Sequence, residues 1–301
     1  MNELVSVVIP AYNDANRIPI ALASLISQDY ENWEVIVVDD GSTDDTLSII
    51  RRCNDSRIQL YRFEENRGRP QAREHGLRNA NGAFLAMLDA DDWWYPEKLF
   101  KQMKIFDKNP SLALVSAGMA ITDEEDRIVG VRALGTRHEK WPQHAVMARP
   151  SVPAVAHAPS VIRMEHAQRA AYDDNLPVAE DVDFLIKILN GNEYTVLPEP
   201  LYAYSEMMSV NPQGILTANQ CVRQVLLKYL RRSRFWIAKQ IVLNYVKGIY
   251  YRVSFSAGLQ DWVVRRRSRR PTLSECRDFD AARDVVYRKV REIWPQFSAT
   301  G

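Results

Sequence analysis

Hydrophobic and polar positions come in alternating blocks along the chain as far as residue 204. Val5-Ser6-Val7-Val8-Ile9 is a β-branched run stopped by Pro10, and Trp33 to Val38, Ile58 to Phe63 and Leu112 to Ser116 are similar short runs. Ala83 to Leu88 is another, entered from the tight turn Asn81-Gly82. Between them lie segments with helix-start signals. Asn13 and Asp14 offer N-caps to a helix from Arg17 to Gln28. Ser42 with Asp45 resembles a capping box for a helix through Arg52. Pro70 suits the first turn of a helix through Ala80, and Pro96 to Asn109 forms the next. Strands apolar along their length and separated by helices predict an α/β fold with a mostly parallel sheet covered on both faces.

Beyond these, Ser160 to Arg163 reads as a strand. Val182, Leu185, Ile186 and Leu189 mark one face of a helix opening at Glu180-Asp181. Val222, Val225, Leu226, Tyr229 and Leu230 repeat at helical spacing, as do Ile241, Val242, Tyr245, Val246, Ile249, Tyr250 and Val253. Two amphipathic helices broken near Ser233 are therefore expected. Their stripes would pack against the preceding domain or dock on a membrane or partner.

With 301 residues, 46% of them hydrophobic, the chain can bury a full core as one large domain with an appendage or as two domains. The boundary is placed at residue 204, with a helical, basic extension over 205–301. Lys and Arg outnumber Asp and Glu 18 to 7 in that extension and are outnumbered 21 to 31 before it. The basic part is expected to face something anionic. Cys53, Cys221 and Cys276 are odd in number and scattered, which fits a reducing cytoplasm better than a disulfide framework. The chain enters its first strand at once, leaving no room for a signal peptide, and no run approaches the roughly 18 apolar residues that cross a bilayer.

Candidate chemistry gathers where strands end. Leu88-Asp89-Ala90-Asp91-Asp92 delivers carboxylates to the carboxyl edge of the sheet, where open α/β folds bind ligands. Two carboxylates one residue apart can hold a hard divalent ion whose oxygen shell a diphosphate completes; equally, they can be an acidic loop before the next helix. No Gly-x-Gly-x-x-Gly and no P-loop follows the first strand, where Pro10-Ala11-Tyr12-Asn13 stands instead, so a dinucleotide oxidoreductase is disfavoured.

Taken in order, the motifs resemble those of the family-2 glycosyltransferases, with their GT-A nucleotide-sugar fold. The stretches are Val5 to Asn13, Val37 to Asp44, Asn66 to Gly76, Leu88 to Asp92 with Pro96, and Ala179 to Phe184. The resemblance implies nucleotide contacts from Pro10, Ala11, Tyr12, Asn13, Asp39, Arg73, Asp89 and Ala90. Within that set Asp39 accepts from the base edge, Tyr12 stacks beside it, Arg73 reaches the nucleotide and Asp89 lies near the ribose. Asp91 is the implied ligand of Mn2+ or Mg2+, Asp40 caps the following helix, and Asp92 has a supporting or capping place. Trp93-Trp94 are read as packing, with an aromatic floor for a hexose as the alternative.

An inverting transfer needs a carboxylate to take the acceptor hydroxyl's proton. By resemblance Asp181 is that base and Glu180 positions the acceptor; apart from the resemblance, the two acids merely suit a helix N-terminus. Many relatives have Tyr-Arg where this chain has Tyr204-Ser205, and the absence of Gln-x-x-Arg-Trp after Asp181 argues against a processive synthase. Acceptor loops are expected between Thr122 and Ala158. Of His138, His144 and His157 there, only His157, beside the strand at Ser160, merits testing. Trp262 to Arg270 sets five arginines beside an aromatic, which suits anionic lipid headgroups; nucleic acid is not expected, since no recognition motif accompanies them.

The expected protein is thus a metal-dependent, inverting, non-processive glycosyltransferase of bacterial surface-polysaccharide type. Its donor would be a nucleotide-diphosphate sugar, a UDP-sugar first, and its acceptor a glycan or lipid-linked glycan. It would be cytoplasmic, reaching the inner face of the cell membrane. A catalytically silent scaffold of the same fold, recruited through its basic tail, is the alternative. A nucleotidyltransferase is disfavoured because the loop after Ile9 lacks a Gly-rich, basic character.

Overall fold

The computed structural model describes residues 2–132, 144–173, 176, 178–205, 212–259, 262–263 and 266–297. His138, Val264 and Arg265 lie outside them. In chain order the elements are β1 (Val5–Ala11), α1 (Ile18–Ile26), β2 (Trp33–Asp39), α2 (Thr46–Arg52), β3 (Ile58–Arg62), α3 (Arg69–Arg78), β4 (Phe84–Met87), β5 (Trp93–Trp94) and α4 (Lys98–Lys108). There follow β6 (Leu112–Thr122), β7 (Ile128–Arg132), β8 (Ala145–Val146), β9 (Val161–Arg163), α5 (Met164–Ala170), α6 (Glu180–Leu189) and β10 (Glu193–Tyr204). The tail contributes α7 (Pro212–Lys228), α8 (Arg234–Ser256) and α9 (Leu273–Ile293).

The strands form one mixed, mostly parallel sheet in the order β3-β2-β1-β4-β9-β6-β10-β5, with β7 on β6 and β8 on β10. β1, β2, β3 and β4 run parallel, as do β6 and β10, while β9 lies antiparallel between β4 and β6. Parallel alignment carries the ends of β1, β2 and β4 to one edge, so residues 10–14, 39–44 and 89–92 meet there. Gly76 of α3 permits the close approach that covers this half, since a Cβ there would lie 2.3 Å from Val8 Cγ1.

Loop side chains expected to cap helices instead tie one loop to another. Asn13, at φ 56°, accepts from Thr43 N at 2.9 Å, and it is the backbone carbonyl of Asp14 that receives Arg17 N and Ile18 N. Ser42 Oγ accepts from Asn13 N rather than capping α2, whose Thr46 N donates to Asp44. Likewise Asp40 does not cap α2: it accepts from Arg67 N at 2.7 Å and Gly68 N at 2.9 Å, pinning the entry to α3. These crosslinks fix three loops against each other at the sheet edge, a demand that local capping patterns do not express.

Both faces of the sheet are covered. One core packs α1 and α4 on the sheet, and α9 adds Phe279, Val286 and Val290, with Trp294 just beyond it. On the other, Val8, Leu85, Met87 and Leu114 meet Phe184 and Ile188 of α6. α7 and α8 pack in turn on α6 through Ile186, Val225, Leu226 and Ile237. The tail therefore divides: α9 enters the main core, whereas α7 and α8 build outward from α6. Helix α9 is additional to the two helices read from the tail's spacing, and it opens on a capping box between Thr272 and Glu275. β6 runs past Ser116 to Thr122 because β7 and β10 both pair with its later half. Among the described residues no helix is long and apolar enough to cross a membrane.

Candidate active site

The loop after β1 turns at Tyr12, whose N–H donates to Asp14 Oδ2 at 2.8 Å, and leaves the Tyr12 ring 44% exposed. The loop after β2 needs Gly41 at φ 75°, where a Cβ would lie 2.7 Å from the Glu65 carbonyl carbon. Asp39 at its start is fully buried. Its Oδ1 accepts from Ser42 N at 3.2 Å, and its Oδ2 pairs with Arg62 Nε at 3.4 Å.

The loop after β4 carries the acids, and the two flanking Ala90 sit in opposite settings. Asp89 Oδ1 meets Arg73 Nη2 at 2.7 Å, and although burial works the other way, Arg73 and Arg69 hold its carboxyl below the usual range. Asp91 is raised by burial first and by Asp89 second. Asp14 is pushed up to about 6, again chiefly by burial, with the charges of Asp91, Asp44 and Asp89 adding to it. Asp92 is buried beneath them, accepting from Tyr202 Oη at 2.7 Å and from Ser205 N at 2.8 Å. Ser205 donates through Oγ to the Asp91 carbonyl, which Arg17 Nε also reaches at 3.2 Å.

These loops enclose a cleft of ≈ 340 Å³. Of the expected residues, Pro10, Ala11, Tyr12, Asp89, Ala90 and Asp91 line it. Asn13 and Asp39 do not: Asp39 is buried behind the wall, and Asn13 is exposed beside it, bonded to Thr43. Asp14, Arg69 and Tyr204 are lining residues that motif reading missed. Arg69 lies inside the Asn66 to Gly76 motif, and Asp14 has the local pattern of a helix cap.

Arg73 occupies a different position from the one expected of a nucleotide-reaching side chain. It is 4% exposed, with Nη1 2.7 Å from Glu180 Oε1 and Nη2 2.7 Å from Asp89. Glu180, expected to face the acceptor, is buried with that oxygen taken by Arg73, so its hold on an acceptor would be indirect. Asp181 follows it on the first turn of α6, half-buried, accepting its neighbour Val182 N at 2.8 Å. Ala179, the residue before them, adopts φ 67°, a strained conformation for a side chain with a Cβ. The backbone is thus bent where it presents the two acids.

His157 is buried nearby, its Nε2 2.9 Å from Tyr172 Oη, and burial together with Arg73 lowers it to about 3, so it is a neutral partner of Tyr172. His144 is exposed. Trp93 and Trp94 are fully buried in β5, with Lys98 Nζ 3.8 Å from the Trp94 ring centre, so they pack and offer no floor to a sugar.

Among the described residues no three His, Cys, Asp or Glu side chains converge as a cage for a metal. The donor chemistry nevertheless suits a hard cation bound together with phosphate. Asp91 is a carboxylate short of countercharge beside Asp89, and magnesium-type sites use one or two carboxylates with substrate phosphates filling the shell.

Comparison with known proteins bears on the family and the fold. The sequence model of the family described as glycosyl transferase family 2 matches residues 6–168. A 106-residue stretch is 41% identical to the Escherichia coli UDP-Glc:alpha-D-GlcNAc-diphosphoundecaprenol beta-1,3-glucosyltransferase WfgD, covering 35% of this chain and 42% of that protein. The match thus spans less than half of that relative. S. aureus TarS 1-349 in complex with UDP-GlcNAc superposes with a TM-score of 0.62 over 96% of this chain and 82% of that one, at 21% identity. The mannosyltransferase PcManGT from Pyrobaculum calidifontis, in complex with GDP-Man and Mn2+, does so with 0.56 over 98% and 88%, at 18% identity. The mixed sheet with its flanking helices is the GT-A fold.

Proposed function

The chain belongs to glycosyl transferase family 2, and on that premise we propose that it transfers a sugar from a nucleotide-diphosphate donor to a glycan or lipid-linked glycan, with metal assistance and inversion. The observation that carries this reading is the Arg73 bridge, which locks a carboxylate of the cleft, Asp89, to Glu180 at the mouth of α6. It couples the donor side to the place where Asp181 would meet the acceptor. A UDP-sugar donor and a lipid-linked acceptor are supported by the names of the relative and neighbour, which give UDP-glucose with a diphosphoundecaprenol-linked sugar for WfgD and UDP-GlcNAc for TarS.

In the mechanism, Tyr12 is assigned to the base side of the nucleotide, with Asp39 buried behind that loop, and Arg69, 52% exposed at the cleft, to the diphosphate. Asp91, with Asp14 near it, would hold a divalent ion. Such an ion supplies charge neutralisation on the leaving diphosphate. Asp181 removes the acceptor hydroxyl proton as that oxygen bonds to the anomeric carbon from the face opposite the departing diphosphate oxygen. Asp89 and Glu180 keep Arg73 fixed between them, so the base and the cleft hold their separation through the reaction. A cytoplasmic protein meeting the inner membrane surface through its basic tail fits this acceptor.

The test is calorimetric titration of UDP with Mn2+ present and absent. Wild type is expected to bind only with the ion, and Asp91→Asn to lose at least about tenfold in affinity, or 1.4 kcal/mol. Metal-independent binding, or an Asp91→Asn protein of unchanged affinity, would remove Asp91 from the site. Failure of the wild type to bind any nucleotide diphosphate would favour the silent scaffold.

A further inference from the structure

Helix α8 is built with its more polar side inward. Ile237, Asn244, Gly248, Tyr251 and Ser254 are its buried positions. Asn244 Oδ1 accepts from Arg223 Nη1 of α7 at 3.0 Å, and at Gly248 a Cβ would come within 2.7 Å of Asn219 Oδ1. The opposite side carries Phe235, Val242, Val246, Ile249 and Val253, between 58% and 94% exposed. Spaced by seven, four, three and four residues, these five form a single stripe about 27 Å long at 1.5 Å per residue.

The borders of the stripe are cationic. Helical rotation places Arg234 and Arg252 along one side and Lys239 and Lys247 along the other. No Asp or Glu occurs anywhere in the 23 residues of the helix. Exposed apolar area of this extent marks an interaction surface. A second copy of this chain would set the cationic borders against their own images, which like-charge repulsion opposes. Acidic headgroups over acyl chains satisfy both parts at once, because apolar side chains can sink while Lys and Arg reach the phosphates.

We infer that α8 lies in the plane of an anionic lipid surface, with Phe235, Val242, Val246, Ile249 and Val253 sunk below the headgroups. Trp236, the neighbour of Phe235 on α8, lines a cleft of ≈ 350 Å³ together with Arg149 and Tyr194, and its indole and the Tyr194 phenol suit the interfacial zone. This deepens the acceptor side of the proposed function by naming the element that meets the lipid. The Arg-rich segment after Trp262 then supplies added attraction, not the anchor.

The test uses the full chain and sedimentation with vesicles of phosphatidylglycerol and phosphatidylcholine, or of phosphatidylcholine alone. Wild type is expected to bind the anionic vesicles strongly and the neutral ones weakly. Val246→Glu with Ile249→Glu should lower the anionic-vesicle affinity about a hundredfold or more, since two buried aliphatic side chains are replaced by charges. Both positions face water, so helicity by circular dichroism should hold, and Val246→Leu with Ile249→Leu should restore binding. Wild type that ignores anionic vesicles, or a double-Glu variant that binds them like wild type, would overturn the inference. So would a wild-type dimer in analytical ultracentrifugation that the double-Glu change makes monomeric, which gives the face to a second copy. UDP binding by the same samples reports the donor site separately, so the two readings fail independently.

Discussion

Arg73 at the sheet edge and Arg266 in the tail carry the same guanidinium in opposite settings. Burial works against the charge of Arg73, and Asp89 and Glu180 outweigh it, so its affinity for a proton is raised further. Arg266 is exposed, its guanidinium 4.8 Å from the centre of the Trp262 ring. The same contrast runs through the surrounding regions. At the edge, loops are crosslinked by Asp40, Asn13, Ser42 and Asp92, and Arg73, Asp89 and Glu180 position one another. On the outer side of α8, apolar and basic side chains alike stand in water. A charge held by buried partners acts through geometry and resists salt; an exposed one acts through its field and is screened.

Removing Arg73 should therefore have the largest effect. Arg73→Met leaves Asp89 and Glu180 without their shared cation, and breaking such a pair costs about 3–5 kcal/mol. Arg266→Ser should change stability by less than about 0.5 kcal/mol. Urea denaturation of the two variants beside wild type measures both, and similar losses would erase the distinction between the regions.

Next comes Asp181, half-buried beside the Arg73 bridge. Asp181→Asn should slow sugar transfer about a hundredfold or more in single-turnover assays, the usual range for loss of a general base. Donor binding should stay intact, because a base in the proposed role would act on the acceptor. Near-normal single-turnover rates would move the base role to another acid on α6.

How far the sequence announces each region follows from how local its contacts are. The Asp89-Ala90-Asp91 carboxylates are contiguous at a strand end, so their gathering at the sheet edge is readable from the apolar run before them. The Arg73–Glu180 contact joins residues 107 apart in the chain, and no periodicity connects them. Asp14 was legible only as a cap, because its approach to Asp91 depends on β1 and β4 being paired. In the tail, helical spacing marks the stripe of α8 but not which side is covered. That choice comes from Asn244 and Gly248 meeting Arg223 and Asn219 of α7, a polar contact that turns the aliphatic residues outward. α9 carries a readable stripe of Phe279, Ala282, Val286 and Val290 behind its capping box, and burial in the main core is decided by its packing on α1.

A pH experiment sharpens the comparison further. Asp14 titrates near 3.8 when solvated and at about 6 in the folded protein. The folded state therefore binds the extra proton between those values, and stability falls as pH rises through that window. Above about 6 the deficit is constant. Asp14→Asn should melt higher than wild type at pH 7, with the advantage shrinking toward pH 4. Thermal melts of both proteins across this range provide the check, and a pH-independent difference would mean the amide acts through packing instead. Added Mn2+ should narrow the gap at pH 7 if a cation shares this cleft.

The smallest effect is expected from a single exposed tail cation on lipid binding. One Lys or Arg near an anionic surface contributes about 1 kcal/mol at low ionic strength, or roughly fivefold in affinity. Arg266→Ser should thus weaken binding to phosphatidylglycerol vesicles by about that factor in dilute buffer. At molar salt the Debye length shrinks to about 3 Å, and the difference should vanish. The Arg73→Met loss of stability should persist at the same salt, since its partners lie within the protein. An Arg266→Ser protein that binds vesicles like wild type in dilute buffer would assign Arg266 to packing on Trp262, and a difference that survives molar salt would place its partner out of solvent.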